Sequence, residues 1–245
     1  MQDYIVDKTA IFAYQDSNDY FITLHQTNDR LTSQGFVIPS RVCRVSTEDF
    51  GGTLQSMHGN HNIENAALAQ RVSELLLPKI DHKAIQSHIG SLHGMKFRQE
   101  IILSSDRITV VNDSTSTTPI STITALKTFH DRNIILILGG NSKNLEISSL
   151  IEEIRKHQDR IITITLLKGS LTDEVYIHLL AIPGLEISEI YEDFSSAVSD
   201  SVRTLQNSNE PTYLLFSPGA TSFAQFKNEF DRGEKFSQII SDIMK

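Results

Sequence analysis

Ile134-Ile135-Leu136-Ile137-Leu138 runs without a polar residue into Gly139-Gly140-Asn141-Ser142-Lys143. A short apolar run, rich in β-branched residues and closed by turn formers, reads as a β-strand. Runs of the same kind recur at 161–166, 185–190 and 213–216. Between them the spacing predicts helices over 118–129, 146–157, 171–180 and 194–206, with a last one over 234–244. Upstream, 98–103 and 107–111 read as a hairpin across Ser104-Ser105-Asp106. Strands alternating with helices at this interval define βαβ units, so the expected class is α/β with a mostly parallel, Rossmann-like sheet.

The first part of the chain has a different texture. Residues 11–14, 20–24, 36–38, 41–45 and 53–57 read as short strands joined by polar turns such as Asp16-Ser17-Asn18-Asp19. A helix over 62–77 with a wide apolar face (Ala66, Ala67, Leu68, Val72, Leu75, Leu76) stops at Pro78, and a shorter one covers 83–89. The change of register at Gly94 predicts two domains, 1–94 and 95–245.

Composition narrows the function classes. Among 245 residues, 22 lysines and arginines face 30 aspartates and glutamates, a net charge of −8. That balance argues against a nucleic-acid binder, which needs a clustered basic excess. The single cysteine, Cys43, cannot close an internal disulfide and reads as a buried strand residue; the histidines have no zinc-ligand spacing. No apolar run approaches the roughly 18 residues that span a bilayer, and the first residues lack a signal-peptide pattern. A cytoplasmic protein that neither enters a membrane nor binds nucleic acid is the expectation.

In an open parallel sheet, ligands bind beyond the carboxyl ends of the strands, where helix N-termini present unpaired N–H groups. Three polar loops fall at such positions: Asn112-Asp113-Ser114-Thr115-Ser116-Thr117-Thr118-Pro119, Gly139-Gly140-Asn141-Ser142-Lys143 and Ser217-Pro218-Gly219-Ala220-Thr221-Ser222. Together they predict a small anion pocket. Taken singly, Asp113 or Ser114 could be a helix cap and the glycines ordinary turn residues. A fourth cluster, Gly59-Asn60-His61-Asn62-Ile63-Glu64-Asn65-Ala66-Ala67, sets Asn62 and Asn65 three apart at a helix start, so both amides share a face suited to a nucleotide; the plain alternative is that Asn62 caps the helix and Asn65 is solvated. No G-x-x-x-x-G-K-[ST] or G-x-G-x-x-G motif occurs.

As a set, these motifs resemble those of the Mur ligases, and most the D-glutamate-adding branch. Residues 59–67 resemble G-x-H-N-x-x-N-A-A, Gly94-Met95-Lys96-Phe97-Arg98-Gln99-Glu100 resembles G-L-P-H-R-x-E, and 112–117 resembles N-D-S-K-A-T. Residues 139–143 resemble G-G-x-x-K, and 215–228 with Arg232-Gly233-Glu234-Lys235-Phe236 resemble L-S-P-x-x-x-S-x-D-x-F-K-N and R-G-x-x-F. The resemblance implies an ATP- and Mg2+-dependent amide ligase of peptidoglycan precursor synthesis. It would activate the carboxylate of UDP-N-acetylmuramoyl-L-alanine as an acyl phosphate for attack by the amine of D-glutamate. By matching positions it assigns Asn62, Asn65, Arg98 and Asp113 to ATP. Ser114, Thr117, Lys143, Ser222 and Phe223 fall to D-glutamate, and Arg98 also to the transferred phosphoryl group. Lys8 matches a carbamylated, magnesium-binding lysine. It also implies that 1–94 is the end of a central ATPase domain and 95–245 an amino-acid-binding domain.

The chain departs from this pattern at several places. Thr115 stands for a lysine, Phe97 for a histidine, Ala224 for an aspartate and Glu229 for an aromatic residue. The family's phosphate-cradling loop and its N-terminal sugar-binding domain have no counterpart, so the expectation is a fragment or one chain of a split enzyme, inactive alone. A non-catalytic binding polypeptide and a related ligase for another amino acid are the competing readings.

Overall fold

The computed structural model describes residues 2–222 and 226–244, with side chains from residue 5. The chain divides into two compact units, Met1–His93 and Gly94–Lys245.

In the first unit, α1 (Gln2–Ala13) precedes β1 (Tyr20–Leu24), α2 (His25–Ser33) and β2 (Arg41–Val45); α3 (Asn60–Leu76) and α4 (His82–Gly90) follow. β1 and β2 pair in parallel, Tyr20 opposite Arg41 and Leu24 opposite Val45. Three of the five expected strands are not strands. Residues 11–13 end α1, because Ile5, Thr9 and Phe12 repeat at helical spacing; Thr9 and Phe12 are buried, and the Phe12 ring meets Phe21 edge-on at 5.0 Å. The apolar run 11–14 taken alone hides that longer period. Residues 36–38 leave α2 through a left-handed Gly35, with Phe36 N–H bonded back to Leu31 O. Residues 53–57 form an irregular strap, fastened where Gln55 N–H donates to Gly90 O. On α3 the buried residues are Ala66, Ala67 and Gln70, whereas Val72 and Leu76 face out, so the packed stripe is narrower than the sequence suggests. Cys43 is half-buried.

The second unit is a six-stranded sheet of β3 (Glu100–Ser104), β4 (Ile108–Asn112), β5 (Asn133–Gly139), β6 (Ile161–Leu167), β7 (Ile187–Tyr191) and β8 (Thr212–Phe216), in the order β3-β4-β8-β5-β6-β7. All neighbours are parallel except the β3–β4 hairpin. The helices α5 (Pro119–Thr128), α6 (Ser148–Lys156), α7 (Ser170–Leu180), α8 (Phe194–Asn207) and α9 (Glu229–Ile243) complete the βα series; α9 starts earlier than expected because Asn228 caps it, accepting from Phe230 and Asp231 N–H.

Alternate side chains of β5 enter opposite cores. Ile134, Leu136 and Leu138 pack with residues of α5, α6 and α7, while Ile135 and Ile137 pack with residues of α8 and α9. A strand buried on both faces has no polar face to show, which explains the uninterrupted apolar run. The chain crosses from β4 to β5 and later returns to insert β8 between them. That insertion makes a switch point, with the carboxyl ends of β4, β8 and β5 side by side.

Candidate functional site

Register sets the three loops against one another. Asn112 of β4 and Ile137 of β5 both pair with Phe216 of β8, so the chain leaves all three strands at nearly one level. Asp113 N–H donates to Phe216 O at 2.8 Å and Gly139 N–H to Pro218 O at 3.0 Å, joining the loop bases. Further out, Thr221 and Asn141 bridge: Thr221 N–H and Oγ1 both donate to Asn141 O, at 2.9 and 3.0 Å. Gly140 is required here, since its φ is +124° and a Cβ would lie 3.0 Å from Thr221 O.

Four of the five expected amino-acid residues, Ser114, Thr117, Lys143 and Ser222, fall on these loops. Lys143 Nζ donates to Thr117 Oγ1 at 3.0 Å, linking the β5 loop to the β4 loop. Ser222 follows the Thr221 bridge, only 4% exposed, and its hydroxyl has no hydrogen-bond partner among the described residues. Ser114 is fully buried and donates its hydroxyl to Glu229 O at 2.7 Å. Phe223, like Ala224, lies outside the described residues.

Asp113 is neither exposed nor a cap; the N-cap of α5 is Thr118, with Pro119 in the first turn. One Asp113 oxygen accepts from Ser217 Oγ at 2.7 Å and the other from Gln99 N–H at 3.1 Å. Burial pushes its pKa up to about 7, against the opposing pull of these donors and of the Arg98 charge. Arg98 itself is exposed. Thr115, standing for a lysine, donates both N–H and hydroxyl to Phe97 O, at 2.9 and 2.8 Å. Phe97, standing for a histidine, adopts a left-handed φ of +61° and packs its ring on Gly233.

Sequence reasoning gave Arg232 no role. It is the largest fully buried side chain described, 1% exposed, and its guanidinium donates to Ser114 Oγ, Ser114 O and Ala220 O at 3.1, 2.7 and 3.1 Å. Burial lowers its pKa to about 10, with Glu229 and Asp113 opposing. An arginine inside an apolar helical stripe, next to a glycine, was the available signal.

In the first unit, α3 begins at Asn60 with Gly59 as N-cap, so Asn62 lies within the first turn and does not cap it. Its amide donates to His58 O at 2.8 Å. Asn65 is exposed, and Lys8 is exposed on α1. Among the described residues no group of three or more histidine, cysteine or acidic side chains is placed to hold a metal ion, and no helix is long and apolar enough to cross a membrane.

An α/β unit with a mostly parallel sheet and polar loops converging at its switch point has the doubly wound architecture in which ligand sites lie beyond the carboxyl ends of the strands. More particularly, the chain is related in sequence to the Mur ligases. It is 28% identical over 250 residues to the UDP-N-acetylmuramoylalanine--D-glutamate ligase of Aquifex aeolicus (strain VF5), covering 98% of this chain and 57% of that protein. The enzyme of the same name from Roseiflexus sp. (strain RS-1) is 32% identical over 185 residues, 75% of this chain and 38% of that protein. The chain thus spans about half the length of the curated relatives it matches. No family model matches it. Solved structures share the fold. Folylpolyglutamate synthase of Mycobacterium tuberculosis, complexed with ADP and AMPPCP, superposes with a TM-score of 0.61 at 13% identity, over 90% of this chain and 55% of that one. The UDP-N-acetylmuramoylalanyl-D-glutamyl-2,6-diaminopimelate--D-alanyl-D-alanyl ligase of Acinetobacter baumannii does so with 0.58 at 14% identity, over 97% and 53%.

Proposed function

We propose that the chain serves a cytoplasmic, ATP-dependent amide ligase of peptidoglycan precursor synthesis, joining D-glutamate to UDP-N-acetylmuramoyl-L-alanine, and that its second unit holds the amino acid. The observation that carries this is the Lys143 ammonium, held on Thr117 at the switch-point edge. A dicarboxylate needs a cation and several donors in a partly dry crevice. Lys143 supplies the charge, and the Thr117 and Ser222 hydroxyls supply donors. A buried hydroxyl without a partner is costly, and a bound carboxylate would satisfy Ser222.

The nucleotide side is less complete. Asn62 donates its amide to backbone, and both Asp113 oxygens are engaged within the fold. The 245-residue sequence also contains no glycine-lysine phosphate cradle. These residues do not fit ATP and Mg2+ by themselves. On this reading the cradle comes from elsewhere, either further residues of a longer polypeptide or a second chain.

Titrating D-glutamate into the labelled protein by NMR, against Lys143→Ala, tests the reading. Lys143 is itself exposed while Ser222 is buried, so loss of the charge-assisted contact should weaken binding about tenfold, the lower end for such a bond. Equal affinity in both proteins would remove Lys143 from the site. Tighter binding of another amino acid would favour a related ligase, the reading that Thr115 and Glu229 support.

A further inference from the structure

We infer that Arg232 is the positioning residue of this edge: a single buried guanidinium fastens the loops after β4 and β8 together beneath the loop after β5. Three features carry the inference. Its donors reach two loops at once, Nε and Nη2 to Ser114 and Nη2 also to Ala220 O. Its Nη1 stands 3.9 Å from where a Cβ on Gly140 would project, so the third loop closes over the same group. Its geometry is fixed from behind by the Phe216 ring, 5.8 Å from the guanidinium carbon, and by Asn112, which donates to Gly233 O at 2.8 Å and holds the adjoining turn of α9.

No carboxylate forms an ion pair with Arg232 among the described residues; its hydrogen bonds go to carbonyls and a hydroxyl. A buried cation spent on backbone acceptors rather than on a counter-ion serves geometry, because a planar fork holds its acceptors at fixed spacing. The acceptors lie one residue after Asp113 and two before Ser222. Arg232 therefore sets the distance between the Thr117 arm and the Ser222 arm of the pocket. Lysine has three donors, but they radiate from a single nitrogen without a planar fork, so it cannot hold both arms at the spacing the guanidinium sets.

The part of this inference that concerns acidic amino acids rests on the function proposed above; the positioning does not. Hydrogen exchange read by mass spectrometry on wild type, Arg232→Lys and Arg232→Met separates the two. Thr115 N–H and Thr221 N–H are bonded across loops, to Phe97 O and Asn141 O, and report on each arm. In Arg232→Met both should exchange about tenfold faster or more, with β6 and α7 unchanged. Arg232→Lys should rescue one arm. If Arg232→Met does not fold, selective loosening of one arm in Arg232→Lys carries the test. Unchanged loops, or loss of protection spread evenly over the sheet, would overturn the assignment. D-glutamate titration of the same proteins adds the second readout. Loosened loops with weakened binding support both readings, and loosened loops in a protein whose wild type binds no D-glutamate overturn the function while leaving Arg232 in place.

Discussion

Lys143 and Thr117 lie on loops that follow different strands, 26 residues apart in sequence, yet Nζ and Oγ1 meet at 3.0 Å. β8 separates the two parent strands in the sheet, so the hydrogen bond spans the whole switch point. Thr117 orients the ammonium without neutralising it, leaving the charge available to an anion. Thr117→Val should preserve the fold and weaken D-glutamate binding several-fold, less than Lys143→Ala, because it removes the hydroxyl that orients the ammonium while leaving the charge itself in place. Calorimetric titration of the two variants gives the ranking, and the opposite order would place the charge away from the ligand.

Asp113 makes stability depend on pH in an unusual direction. Its folded pKa, about 7, lies above the unfolded value of about 3.9. Between these values the unfolded chain has lost the proton and the folded one keeps it. Stability from this group is therefore fully present below about pH 4 and is lost as pH rises toward about 7. Asp113→Asn keeps an acceptor for Gln99 N–H and removes the titration. Relative to wild type, the variant should gain stability from pH 4 to pH 7 in denaturant melts, at roughly the window the linkage relation sets. Parallel curves would show that Asp113 is ionised inside the fold.

Gly169 is the tightest backbone approach near the site. Its φ is +155°, and a Cβ there would fall 2.3 Å from the carbonyl carbon and oxygen of Gly140. Gly169→Ala should cost about 2 kcal/mol or more, from strain and forced separation of the β5 and β6 loops. Thermal melting measures it, and a change under about 0.5 kcal/mol, that of an ordinary surface substitution, would contradict the close approach.

The purified 245-residue chain, given UDP-N-acetylmuramoyl-L-alanine, D-glutamate, ATP and magnesium, should release no phosphate above background. Positioning and charge neutralisation of the phosphates need a cradle that its sequence does not contain. Steady phosphate release dependent on D-glutamate would show that these residues complete the nucleotide site alone.

The sequence by itself determined the α/β class of residues 100–245, because strands buried on both faces become apolar runs that local composition exposes, as at 134–138 and 213–216. It also determined which loops carry polar side chains, since strand ends and glycine turns are local features. It misread residues 11–14, where the helical period of Ile5, Thr9 and Phe12 outweighs a short β-like run. The tertiary structure alone decided what those loops do to each other. That β8 inserts between β4 and β5, that Asp113 is consumed by Ser217 and Gln99, and that Arg232 lies under three loops all depend on interactions between residues up to 118 apart. Local sequence carries no record of such interactions, because topology, and not spacing along the chain, brings those groups within hydrogen-bonding distance.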